Sequence, residues 1–136
     1  MTVLILALTL AMQTGASPVQ TIAKEMMSQI DEPRQAVARD AAELSALWRQ
    51  HAPAKPAPTV DFKTRTVVAV FLGSRMSAGY AVEITGTRED KGMLVVQWQE
   101  RKPNRDEVTA QIITSPAVIA SIPKFSGEIK FEKVDP

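Results

Sequence analysis

The sequence predicts a mainly β fold, a single-domain antiparallel β-sandwich or partly open barrel of about seven short strands with one amphipathic helix. Three observations carry this. Tyr80, Val82 and Ile84 alternate with Ala81, Glu83 and Thr85, and Leu94, Val96 and Trp98 repeat the pattern, the period of a half-buried strand. Turn-forming residues separate the short apolar runs. Helical spacing appears convincingly in one segment only: Leu44, Leu47, Trp48 and His51 fall at i, i+3, i+4 and i+7.

Residues 3–12 are apolar except for Thr9. As a helix, ten residues span about 15 Å, half of a hydrocarbon core, so the run is too short to cross a membrane. The small residues that follow, with Thr14 and Ala16 before Ser17-Pro18, give residues 1–16 the layout of a secretory signal, although the start lacks Lys and Arg. The mature domain is then expected over 17–136, with no membrane span. Residues 19–22 read as a short strand, and Met26-Met27 is apolar without a clear period. Asp31-Glu32-Pro33 is a turn signal, because proline disfavours helix in the residue before it. Residues 35–39 form a second weak strand. Asp40 caps the helix, with Glu43 at the capping-box spacing, and the helix ends before Pro53.

Residues 51–59 carry three prolines among small residues and form an extended surface connection. Residues 66–72 are apolar at every position after Thr66, which places them in a central strand buried on both faces. Asp90-Lys91-Gly92 turns the chain between the two alternating strands, making a hairpin. Residues 110–113 and 118–122 are further apolar runs, separated by Ser115-Pro116. Residues 127–134 close the domain, with Ile129, Phe131 and Val134 inward.

Composition narrows the chemistry. Sixteen Lys and Arg against fifteen Asp and Glu leave a net charge of +1, and no basic run exceeds two residues, so nucleic acid is not an expected partner. There is no cysteine, which excludes thiol catalysis, disulfides and zinc–thiolate sites. His51 is the only histidine, and its place on the apolar helix stripe beside Trp48 points to packing rather than to a catalytic base. No glycine-rich phosphate loop or convergent carboxylate pair stands out. The expectation is a non-enzymatic domain with no cofactor and no metal site. Recognition then falls to loops on a rigid scaffold. In the segment from Gly73 to Tyr80, Arg75 offers an exposed cation and Met76 an adaptable apolar tip; Ser77, Gly79 and Tyr80 are expected partner contacts beside them, with Tyr80 also anchoring the loop base. Pro103 in the charged loop after Trp98, and Pro116 after Ser115, mark the other two candidate contact loops.

Trp48-Arg49-Gln50-His51, Pro58-Thr59-Val60-Asp61-Phe62, Val67-Val68-Ala69-Val70-Phe71-Leu72-Gly73 and Ala78-Gly79-Tyr80-Ala81-Val82-Glu83-Ile84 follow one another in an order that resembles the PrcB family. The likeness continues through Ala110-Gln111-Ile112-Ile113-Thr114-Ser115-Pro116 to Ile129-Lys130-Phe131, so it covers the chain from about Arg34 onward. Where the family usually has Thr-Gly-Gly-Tyr this chain reads Ser77-Ala78-Gly79-Tyr80, and a tight glycine turn is partly lost. The resemblance implies a periplasmic or secreted accessory domain of the bacterial envelope that associates with, stabilises or regulates a protease. The Gly-Tyr loop is also loosely similar to the Thr-Gly-Tyr loop of chagasin-type protease inhibitors. A rival from another class is a periplasmic domain binding a small molecule or cell-wall component in a sandwich-edge groove.

Overall fold

A computed structural model describes residues 18–136. The expected signal segment, residues 1–16, lies outside them. Seven strands and one helix follow in the order β1 (Gln20–Glu25), β2 (Arg34–Ala38), α1 (Ala41–His51), β3 (Arg65–Phe71), β4 (Ala81–Asp90), β5 (Met93–Arg101), β6 (Ala117–Pro123) and β7 (Ile129–Lys133). They build two sheets, β1-β6-β3-β2 and β4-β5-β7, that do not close into a barrel. Every pairing is antiparallel except β5 with β7, which is parallel.

The helix forms where the stripe predicts it. Asp40 Oδ1 accepts from the Glu43 N–H at 2.8 Å, and Glu43 Oε1 reaches back to the Arg39 N–H at 2.7 Å. Leu44, Leu47 and Trp48 bury against one face of the larger sheet, on Val67, Ala69, Phe71 and Ile119. The opposite face presents Val68, Val70, Val118 and Ile122 to the second sheet, where Val82, Leu94 and Val96 meet them. The molecule is thus three layers deep, helix on sheet on sheet. Strand β3 is apolar on both faces because it lies in the middle layer, paired on both edges.

Two of the sequence-level turns have visible causes. Lys91 (φ 54°) and Gly92 (φ 83°) carry the two-residue hairpin turn between Asp90 and Met93, which needs positive φ at both positions. Asp61 closes the turn into β3, its carboxylate accepting from the Lys63 N–H at 3.0 Å and its carbonyl from the Arg65 N–H at 3.0 Å. Of the two apolar runs after β5, only the second becomes a named strand. Residues 110–113 stay exposed and join neither sheet.

Candidate functional site

Three connections gather at one end of the sandwich: residues 26–33 after β1, 72–80 after β3, and 102–116 after β5. Backbone bonds lace them into one ribbon. The Ser115 N–H donates to Met26 O and the Ser28 N–H to Ser115 O, both at 2.9 Å. Arg75 and Thr114 exchange N–H···O bonds of 2.8 and 2.9 Å, and the Ala78 N–H donates to Ala110 O at 2.9 Å. Residues 114–115 therefore run between Met27 on one side and Arg75 on the other, in short parallel and antiparallel bridges.

Two glycines are required by this packing. Gly79 has φ +100°, and a Cβ there would lie 2.9 Å from both Pro103 Cβ and Thr109 Cγ2. Gly73 has φ +83°, and its Cβ would meet Pro33 Cδ at 2.8 Å. Positive φ and the closeness of the neighbouring loop each exclude a side chain.

The predicted contact residues separate into two groups. Met76 is 76% exposed, a projecting tip as expected. Arg75 is not a free cation. Its side chain is 26% exposed, and Nε donates to Glu100 Oε2 at 2.8 Å in an ion pair with a carboxylate only 4% exposed. Its Nη1 also donates to Leu72 O and Ser74 O, and the guanidinium stands 5.8 Å over the Tyr80 ring. Arg75 binds inward because burying Glu100 without a partner would be costly. Pro116 is buried as well, its carbonyl accepting from the Leu72 N–H at 3.0 Å, so it cannot be a surface contact. Ser77 O accepts from Thr114 Oγ1 at 3.0 Å, and Ser77, Gly79, Tyr80 and Pro103 are half-buried packing inside the ribbon.

Glu100 reads as the head of the charged loop after Trp98, yet parity marks it as a strand residue. Leu94, Val96, Trp98 and Glu100 are successive inward positions of β5. Lys133 adds a second contact to Oε1 at 3.4 Å. Hydrogen bonding to Arg75 holds the Glu100 carboxyl below its ordinary range, outweighing the opposite push of burial.

His51 performs a second unforeseen task. It is buried, edge-on to Trp48 at 5.1 Å and tilted against Phe71, as the helix stripe implies. Its Nδ1 also lies 2.8 Å from Ser28 Oγ, which accepts the Ile30 N–H, and its carbonyl accepts the Gln29 N–H. The helix end thereby roots the first loop of the ribbon. Burial lowers the His51 pKa, so the ring is neutral at pH 7.

The exposed large hydrophobics gather at this end, among exposed charged and polar residues. Among the described residues, the exposed large hydrophobics are Met26, Met27, Met76, Val108, Ile112 and Ile113, between 43 and 97% exposed, and all six sit in these three loops. Beside the ribbon an open hollow of about 330 Å³ is lined by Lys24, Glu25, Tyr80, Val82, Arg101 and Glu107 among others. Among the described residues no three His, Asp or Glu side chains converge as metal ligands, and no helix is long and apolar enough to cross a membrane.

Residues 66–123 match the family model described as PrcB C-terminal. Over that stretch, a little under half of its length, the chain is similar to the PrcB family. The matched stretch runs from the start of the central strand β3 to the end of β6, and so includes two of the three ribbon loops. Searches of curated proteins and of solved structures return no match to the chain.

Proposed function

We propose that this PrcB-type domain is an exported, non-enzymatic accessory subunit that binds a protease through the apolar end of its sandwich. The observation that carries this reading is the placement of the exposed large hydrophobics. Scattered apolar residues are ordinary on a surface. Six concentrated in three loops, held in fixed relation by backbone bonds, are what a protein contact surface requires. The supporting shell fits the role. Arg75, Gly79, His51 and Ser28 lock the loops from beneath, so that binding orders little. The match to the PrcB C-terminal model points to the protease as partner, and the apolar run at residues 3–12 to the periplasm or the outside of the cell. A second reading, a binder of a small molecule or cell-wall component, has the hollow beside Tyr80 in its favour.

The test compares the wild-type domain with a Met27→Ser, Met76→Ser, Ile113→Ser variant, each immobilised and exposed to envelope extract, with retained proteolysis of labelled casein as the readout. The wild type should retain activity and the variant lose it, while the two melt alike. Equal retention by both would sink the apolar-end reading. Saturable retention of a muropeptide in the Tyr80 hollow, with no protease retained, would establish the second.

A further inference from the structure

The outermost strands of the two sheets are β1 and β2 in the larger, β4 and β7 in the smaller. Such edges carry main-chain groups that are free to pair with another chain. Register shifts interrupt β1 between Thr21 and Ala23 and β4 between Ile84 and Gly86, a device that blunts an edge. Strands β2 and β7 run in unbroken register.

Parity shows what β7 offers. The Leu94 N–H donates to Glu128 O and the Val134 N–H to Trp98 O, so in this parallel ladder the even-numbered residues bond to β5. Ile129, Phe131 and Lys133 turn their N–H and C=O groups away from it, and among the described residues no bond to these groups is found. The strand is accessible: Lys130 and Lys133 are exposed, and Ile129, Phe131 and Glu132 are half-buried. Ile129 and Phe131 pack inward beside Leu94 and Val96, which leaves Lys130 and Glu132 on the outer face. Lys130 has no ion-pair partner among the described residues. Glu132 meets Arg88 at 3.4 Å and the Gln97 amide at 3.0 Å, yet its side chain stays 42% exposed.

We infer that the chain forms a two-fold dimer in which β7 pairs antiparallel with β7 of a second copy, centred on Phe131. In that register Phe131 faces Phe131, and Ile129 faces Lys133 of the second copy. Every outward N–H and C=O of the strand then has a partner, and the two three-stranded sheets become one. Between those pairs Lys130 falls opposite Glu132 of the second copy, at the positions where side chains come closest. Sliding the register by two residues either way sets Lys130 or Glu132 against its own counterpart, and so does parallel pairing, which like charges disfavour. Strand β2 offers no such complement, because Arg34 is its only charge. None of the three ribbon loops includes β7, so the dimer does not depend on the contact surface proposed above.

Sedimentation velocity of the chain at low salt, from about 10 μM to roughly 1 mM, should show a monomer–dimer equilibrium. The Ile129, Phe131 and Lys133 amides should gain exchange protection as concentration rises, while those of Lys130 and Glu132, already bonded to β5, should not. Lys130→Glu alone, or Glu132→Lys alone, should weaken the dimer by about ten-fold or more, because each sets like charges opposite one another. Mixing the two variants should restore association, since the mixed pair again places opposite charges at both positions. The Met27, Met76, Ile113 serine variant should dimerise as the wild type does. A wild type that stays monomeric throughout, or a dimer that the serine substitutions abolish, would overturn strand pairing. A dimer indifferent to Lys130→Glu, or variants that remain apart when mixed, would overturn the register.

Discussion

Removing the Arg75 guanidinium by Arg75→Ala leaves the Glu100 carboxylate buried, 4% exposed, with only Lys133 for company. The lost charge-assisted bond is worth about 1.5–3 kcal/mol. Two carbonyls, Leu72 O and Ser74 O, lose a donor at the same time. Lys133 compensates little, because it is 53% exposed and 3.4 Å away, and such pairs contribute under about 1 kcal/mol. The expected cost is about 2–4 kcal/mol, or roughly 10 °C in Tm for a chain of this size. Thermal melts of Arg75→Ala, Glu100→Gln and the double variant measure it. The double variant should cost about 2 kcal/mol less than the sum of the singles, since each alone strands the other's partner. The pH profile gives an independent reading. A carboxyl held below its ordinary value near 4.5 stabilises the fold above that value, and the contribution disappears as pH falls through the lower folded value. Arg75→Ala should flatten that acid limb. A melt within a degree of wild type, or coupling under about 0.5 kcal/mol, would refute the claim that Arg75 is structural rather than a contact residue.

His51 titrates in a separate window. Its folded pKa lies below the ordinary 6.5, so stability should be full above 6.5 and fall as pH drops through that value toward the folded one, with His51→Gln flattening the slope in chemical denaturation. Gly79→Ala should destabilise by at least about 1 kcal/mol, because it forces a side chain into positive φ against Pro103 and Thr109. Gly92→Ala, at positive φ but in open space, should cost less, and paired melts decide the order. Val68→Asp should abolish the cooperative transition, since an unpaired carboxylate in the middle layer costs several kcal/mol against a total of about 5–15. A near wild-type melt would show that β3 is not central.

The fold was largely legible because its signals are local. The helix stripe, its Asp40 cap, the alternation in β4 and β5 and the unbroken apolar run of β3 each depend on neighbours along the chain. What depends on distant chain did not show. The parallel β5–β7 pairing joins segments separated by the whole of β6, and nothing in either strand encodes its direction. Arg75 reads as a loop cation until Glu100, twenty-five residues on, is found beneath it. Pro116 reads as a loop breaker, although the ribbon covers it. Met76 is legible as an exposed tip, but nothing in the local pattern marks Met26, Met27, Ile112 and Ile113 as exposed, because that follows from loops lying outside both sheets.

The stretch matched by the family model and the unit that can fold are different objects. Residues 66–123 contain β3 to β6, hence the centre of one sheet and two strands of the other. They lack β1 and β2, which flank that centre, the helix that roofs it, and β7. Expressed alone, this piece would leave Val67, Ala69, Phe71 and Ile119 without their cover and both edges of a hydrophobic strand pair open to solvent. Such a fragment is a template for edge-to-edge aggregation. The helix and the outer strands are therefore obligatory scaffolding, and a deletion series from either end should end in inclusion bodies rather than in a smaller soluble domain.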